Sequence, residues 1–302
     1  MGTISTRREY LLLGAVILLA LFMRLYGINF GLPLHYHIDE TRVMQKVMRI
    51  VHTGDLNPRF FHYPSFMIYS LSALTLLYYG IHFIPFAIES VIGWKLPTLS
   101  AFKLAFDADA SALYLLSRVS LATFGILTVV IVYLLVKRLF SRQAAFYAAL
   151  FISIVPLHVI ESHYIKQEVF MTFFMILALY IGVRGVNSSS RAVPYLVGLT
   201  AGIAGSVKYN GIYAVSIFPM LSRREGKLDF HSFFGKNAVK VLLVAVLTFL
   251  ATSPYVLLDF ERFIIDFTYE MYHVSKWGHH AFDLDGSGLI YHRFLYQILA
   301  AF

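Results

Sequence analysis

Long apolar runs recur along this chain, and each is too uncharged to be the half-wetted face of a water-soluble element. Residues 10–28, 114–136, 143–161, 169–185 and 239–257 each approach the roughly 20 apolar residues that cross a bilayer. A further stretch, 194–221, is interrupted by Lys208-Tyr209-Asn210. Of the 302 residues, 58% are hydrophobic and 14% charged, with a mean hydropathy of +0.68. A soluble domain carries about 25% charged residues. A soluble enzyme, a disordered chain and a nucleic-acid-binding module are therefore excluded. There is no cysteine, so neither a disulfide framework nor a zinc–thiolate site is available. The expected class is an all-α multi-pass membrane protein. Met23-Arg24-Leu25-Tyr26 offers no small-residue cleavage site, so the first run is expected to stay as a helix rather than act as a removed signal.

The net charge of +8 sets the path of the chain. Arg7/Arg8, Lys137/Arg138/Arg142, Arg184/Arg191 and Arg223/Arg224/Lys227 lie between apolar runs, and basic loops stay in the cytoplasm. That rule makes 194–221 two short crossings with Lys208 at the outer turn. It leaves 29–113 as a long first outer loop and yields about seven spanning helices with a cytoplasmic N-terminus. The apolar segment 64–88 then lies in the interface or re-enters, with Pro64 and Pro85 as its breaks. The alternative is a pair of crossings returning through 91–111, which would carry Lys95, Lys103, Asp107 and Asp109. Residues 40–53 place Val43, Val47, Ile50 and Val51 on one helical face, with Gly54 and Pro58 beyond the end. Such a helix suits either the lipid interface or packing on the protein surface.

This topology brings scattered polar residues to the outer side. His35-Tyr36-His37-Ile38-Asp39-Glu40 follows the first helix, and Glu161 to Glu168, with His163 and Lys166, follows the third. Lys208, Tyr209 and Asn210 form the outer turn of 194–221, while His62 and Arg118 lie near the same side. A carboxylate such as Asp39 can take a proton from an attacking hydroxyl. Lys208, Lys166 or Arg118 could neutralise a phosphate leaving group. Bland roles compete: Asp39 as a helix cap, Lys208 as a headgroup anchor, Glu168 as a first-turn acid and Arg118 as a snorkelling side chain.

The order of these segments resembles the GT-C glycosyltransferase superfamily, and within it the protein O-mannosyltransferase and aminoarabinose transferase group. The likeness runs through His37-Ile38-Asp39-Glu40, Phe61-His62-Tyr63-Pro64-Ser65, Leu116-Ser117-Arg118-Val119, the Pro156 to Phe174 segment, Gly198 to Gly211 with Lys208-Tyr209-Asn210, and Ser253-Pro254-Tyr255. It implies sugar transfer, with inversion, from a polyprenyl-phosphate donor to an acceptor hydroxyl on the outer or lumenal face. It implies Asp39 as general base with Glu40 beside it, and His37, His62, Arg118, His163, Lys166, Glu168, Lys208, Tyr209 and Asn210 as substrate-binding candidates. Glu168 stands where the group usually has Asp, and Ser65 where it has a second proline. The implied partners are the lipid-linked sugar, a protein, lipid or glycan acceptor, and the bilayer of a plasma or endoplasmic reticulum membrane. No nucleic acid is expected.

The resemblance also implies a transmembrane module over 1–258. Residues 259–302 would be an outer segment, then the start of a further span of a longer enzyme. No cofactor is required, and no metal ligand is assigned. Asp107-Ala108-Asp109 and Asp283-Leu284-Asp285 have the Asp-x-Asp form that related oligosaccharyltransferases use with a divalent ion. The Asp283 segment is not a calcium loop, because its twelfth position is Phe294 instead of Glu. A transporter or channel is the alternative reading. Its ionisable residues would sit mid-helix, whereas these cluster at helix ends.

Overall fold

The computed structural model describes residues 6–34, 37–91, 109–185, 190–216 and 235–272. Among them the chain is helical throughout, with no strand. The bundle consists of α1 (Thr6–Leu25), α4 (Ser111–Leu139), α5 (Arg142–Ile154), α7 (Gln167–Gly185), α8 (Val193–Val207) and α9 (Lys236–Thr252). Between α1 and α4 lie α2 (Ile38–Thr53) and α3 (Phe66–Val91). A short α6 (Pro156–Glu161) continues α5 past a break, and α10 (Tyr255–Leu258) and α11 (Phe260–Tyr272) follow α9. Among the described residues, α4 and α7 are long and apolar enough to cross a membrane, by length and composition alone. The other expected crossings coincide with helices that are shorter or carry more charge, except the second half of 194–221, which is a 3-10 segment as far as Ser216 and then lies outside the described residues.

Neighbouring helices run back and forth, so their ends collect into two groups. At one end Glu9 of α1 accepts hydrogen bonds from Tyr133 and Lys137 of α4 and pairs with Arg142 of α5 at 3.1 Å. At the other end lie the C-termini of α1, α6, α8 and α9 and the N-termini of α4 and α7. Helices α8 and α9 meet backbone to backbone. A Cβ on Gly198 would lie 2.7 Å from the Val241 carbonyl oxygen, and one on Gly202 would lie 2.5 Å from that of Ala245. Small residues four apart permit this approach between apolar helices.

Several expectations change. The apolar face of α2 is not left to lipid: Val43, Met44, Val47 and Met48 are buried against residues of α3, α4 and α7. The helix over 66–91 passes through Pro85, so the expected break there is absent. The third expected span is broken instead, because Val155 is extended (φ −60, ψ 120) and Pro156 starts α6. The interruption near Lys208 is real: α8 stops at Val207, Lys208 is extended, and a 3-10 segment runs over Tyr209–Ser216. His35, Asp107, the Arg223/Arg224/Lys227 cluster, Trp277 to His280 and the Asp283–Asp285 pair lie outside the described residues. Asp109 lies one residue before the Ala110 N-cap of α4 and accepts the Ser111 N–H at 2.8 Å.

Candidate functional site

Helix α2 determines how the Asp39-Glu40 pair is presented. Its N-cap is His37, whose Nδ1 accepts the Asp39 N–H at 3.2 Å, so Asp39 is not itself the cap. Adjacent residues on a helix point about 100° apart, and here the two carboxylates face different surroundings. Glu40 is fully buried. Its Oε1 accepts the Arg118 Nε–H at 2.8 Å and the Ile165 N–H at 2.9 Å, and its Oε2 accepts Arg118 Nη2 at 2.7 Å. Arg118 also donates to the carbonyls of Ile28 and Phe30, and its guanidinium lies 4.3 Å from the Phe30 ring centroid. Arg118 is 1% exposed. Its Nε, Nη1 and Nη2 donors, which the sequence offered to a phosphate, face protein acceptors here. Asp39, by contrast, is partly exposed. Among the described residues its carboxylate reaches only His37 Nδ1, at 3.9 Å.

Asp39 shares its surroundings with the α6–α7 turn and the end of α8. Lys166 pairs with Glu161 at 2.9 Å, and Lys208 donates to Glu168 Oε1 at 2.8 Å, while the buried Oε2 of Glu168 has no hydrogen-bond partner among the described residues. Burial alone would lower the Lys166 pKa, yet the nearby charges of Glu161, Glu168 and Asp39 hold it above the ordinary lysine value. Tyr63 stands among the same groups. Burial first, then the charges of Asp39, Glu168 and Glu270, push its phenol well above the usual range. Lys208 Nζ lies 5.9 Å from the Tyr63 ring centroid. Asp39, Tyr63, Lys166, Glu168 and Lys208 thus form one cluster of mixed charge. Below it, an apolar cleft of about 400 Å³ runs between α3, α4 and α7, with Phe66 and Phe170 among its lining residues.

The other candidates have different surroundings. Both ring nitrogens of His163 meet backbone carbonyls, of Val159 at 2.8 Å and Tyr26 at 3.1 Å. Tyr209 donates to the Phe61 carbonyl at 2.8 Å and packs beside Phe249 and Phe267. Asn210 is exposed, and the His37 ring packs tilted against Tyr164, with centroids 4.6 Å apart. His62 hydrogen-bonds Glu270 of α11 at 3.1 Å. Glu270 and Tyr63 carried no assignment in the sequence reading. Glu270 lies in a segment with no motif, although the helical period places it on the same side as Asp259 and Asp266, which also bond the connection between α2 and α3 at Asn57 and Phe61. Ser65 donates its N–H to Ser253 Oγ at 3.0 Å, a bond that a proline at this position could not make. Among the described residues no three His, Asp or Glu side chains converge to hold a metal ion.

Residues 99–257 match the family described as Dolichyl-phosphate-mannose-protein mannosyltransferase. Dolichyl-phosphooligosaccharide-protein glycotransferase 2 of Pyrococcus furiosus is 30% identical over 170 residues, which is 55% of this chain and 22% of that protein. The apo crystal structure of the Archaeoglobus fulgidus oligosaccharyltransferase is similar with a TM-score of 0.59 and 17% identity, over 95% of this chain and 35% of that one. The same enzyme tethered to an acceptor peptide containing the NVT sequon gives 0.58 and 18%, over 98% and 37%. At these identities the structures show the fold alone. The chain spans about a fifth of the curated relative and somewhat over a third of the structural ones. None of these comparisons favours a transporter or channel.

Proposed function

Because the chain belongs to the dolichyl-phosphate-mannose-protein mannosyltransferase family, within the GT-C glycosyltransferases, we propose that it moves a mannose-like or related sugar from a polyprenyl-phosphate donor to an acceptor hydroxyl. The observation that carries this reading is the convergence of Asp39, Glu168 and Lys208 around Tyr63, with Lys166 beside Asp39 and Glu168, above an apolar cleft. A lipid-linked phosphate needs cations at the headgroup and a dry groove for its chain, and both occur here.

In this reading Asp39 accepts the proton of the acceptor hydroxyl as its oxygen attacks the anomeric carbon. The bond from that carbon to the phosphate oxygen breaks, the configuration inverts, and the polyprenyl phosphate departs with the bonding pair. Lys208 and Lys166 neutralise the charge that develops on it. Glu40 and Arg118 act through α2, whose first turn they anchor. His62, His163 and Tyr209 hold the loops around the site. The names of the family and of the curated relative both specify a protein acceptor, which favours a protein over a lipid or glycan. The accompanying topology is about seven crossings over 1–258 with the site on the outer or lumenal face, and 259–302 as an outer segment whose α11 folds back on the first outer loop.

The test is transfer from polyprenyl-phosphate sugars by the full-length protein in purified membranes. Asp39→Asn is expected to abolish transfer while leaving insertion and melting temperature unchanged. Full activity in that variant would reject the general-base role.

A further inference from the structure

The α5–α6 break leaves backbone acceptors without donors. In an unbroken helix the Ile152 carbonyl would accept from residue 156, which is a proline without an N–H. The Ser153 carbonyl loses its partner as well, because Val155 is extended. Arg24 of α1 answers both. Its Nη2 donates to Ile152 O at 2.9 Å and its Nη1 to Ser153 O at 3.1 Å, while Nη2 also meets His158 Nδ1, on α6, at 2.9 Å. The side chain is 0% exposed and has no carboxylate partner among the described residues. A buried cation without a counter-ion is costly, and what offsets it here is the negative end of the α5 dipole together with those carbonyls. Gly125 of α4 makes room for it: a Cβ there would lie 2.6 Å from Ser162 Oγ and 3.1 Å from Arg24 Nε.

We propose that Arg24 is a positioning residue: its guanidinium supplies the hydrogen bonds that Pro156 removes from the end of α5, and so holds the bend that delivers Lys166 and Glu168 to the site. The role in catalysis rests on the transfer reading above; the clamp itself does not. Helix α6 is only six residues long, and the turn after it carries Ile165, whose N–H seals Glu40. A change in the bend therefore moves both halves of the site relative to each other.

Spin labels at Ile38→Cys on α2 and Leu157→Cys on α6, both exposed positions, report the distance across the site in the full-length protein, with any cysteine outside these 302 cysteine-free residues replaced by serine. Arg24→Leu should shift and broaden that distance and lower transfer at least about tenfold. Gly125→Ala, which removes no hydrogen-bonding group, should move the distance in the same way and covers the case in which Arg24→Leu does not fold. In Arg24→Leu/Pro156→Ala the restored N–H lets α5 satisfy its own carbonyls, so the melting temperature should recover while the distance and the transfer do not. An unchanged distance in folded Arg24→Leu or in Gly125→Ala overturns the clamp. So does joint recovery of stability and transfer in the double variant, the mark of a merely structural role. Should the unaltered protein transfer nothing, the glycosyltransfer reading falls, and the label distances still decide the clamp.

Discussion

Two neighbouring carboxylates show how far one helical step separates function from architecture. Asp39 lies partly exposed beside Lys166 and Tyr63, whereas Glu40 is buried and accepts three hydrogen bonds. Removing one partner of a buried ion pair costs roughly 3–5 kcal/mol, because the other charge is left uncompensated. Glu40→Gln should therefore lower stability by that order in a denaturation series, with transfer falling in proportion to the folded fraction. Asp39→Asn should show the reverse pattern, full stability without transfer. The pair itself was legible as an acidic dipeptide near a helix start. Which member faces the core was not, because that depends on Arg118 arriving from a helix far along the chain. Tyr63 went unassigned for a related reason: its surroundings are supplied by residues remote in sequence, namely Asp39, Glu168 and Glu270.

At the scale of elements, the α8–α9 contact is the least forgiving. Gly202→Ala would drive a methyl to 2.5 Å from the Ala245 carbonyl oxygen and 3.0 Å from its Cα. Backbone cannot yield as a side chain tip does, so the helices must separate, at a cost of about 1–3 kcal/mol. Gly14→Ala on α1 is the contrasting case. It meets nothing within 4 Å and should stabilise by roughly 0.5–1 kcal/mol through helix propensity alone. Thermal unfolding of both variants in one detergent decides the point, and equal melting temperatures would contradict the close approach. Helix α11 offers a second test. Asp266 Oδ2 accepts the N–H of fully buried Phe61 at 2.9 Å. Asp266→Ala should strand that donor at a cost of about 1–3 kcal/mol, read as faster proteolysis within residues 57–63. Helix positions, the period of α2 and the stop at Lys208 were readable because apolar runs and helix breakers act locally. The docking of α11 was not, since it rests on three acidic side chains meeting a loop about two hundred residues earlier.

For the molecule as a whole, the two ends of the bundle carry different chemistry: the Glu9–Lys137–Arg142 group at one, the Asp39–Lys208 cluster at the other. A membrane-impermeant maleimide should label Ile38→Cys in intact cells and Phe140→Cys only after permeabilisation. The opposite pattern would overturn the proposed topology. The split of charge between ends was legible from the basic loops, but the pairing of helix ends within each group was not, because hydropathy reports depth in the bilayer and says nothing of lateral neighbours. The Glu40–Arg118 pair sets an order in time as well as in space. It ties the segment after α1, the start of α2, the start of α4 and the turn before α7. These emerge from the ribosome one after another, so the nascent chain carries Glu40 and then Arg118 at the membrane while the Ile165 N–H is still unmade. Only when synthesis passes residue 165 can this knot close, so the first turn of α2 is fixed only after α1 to α6 have all been made.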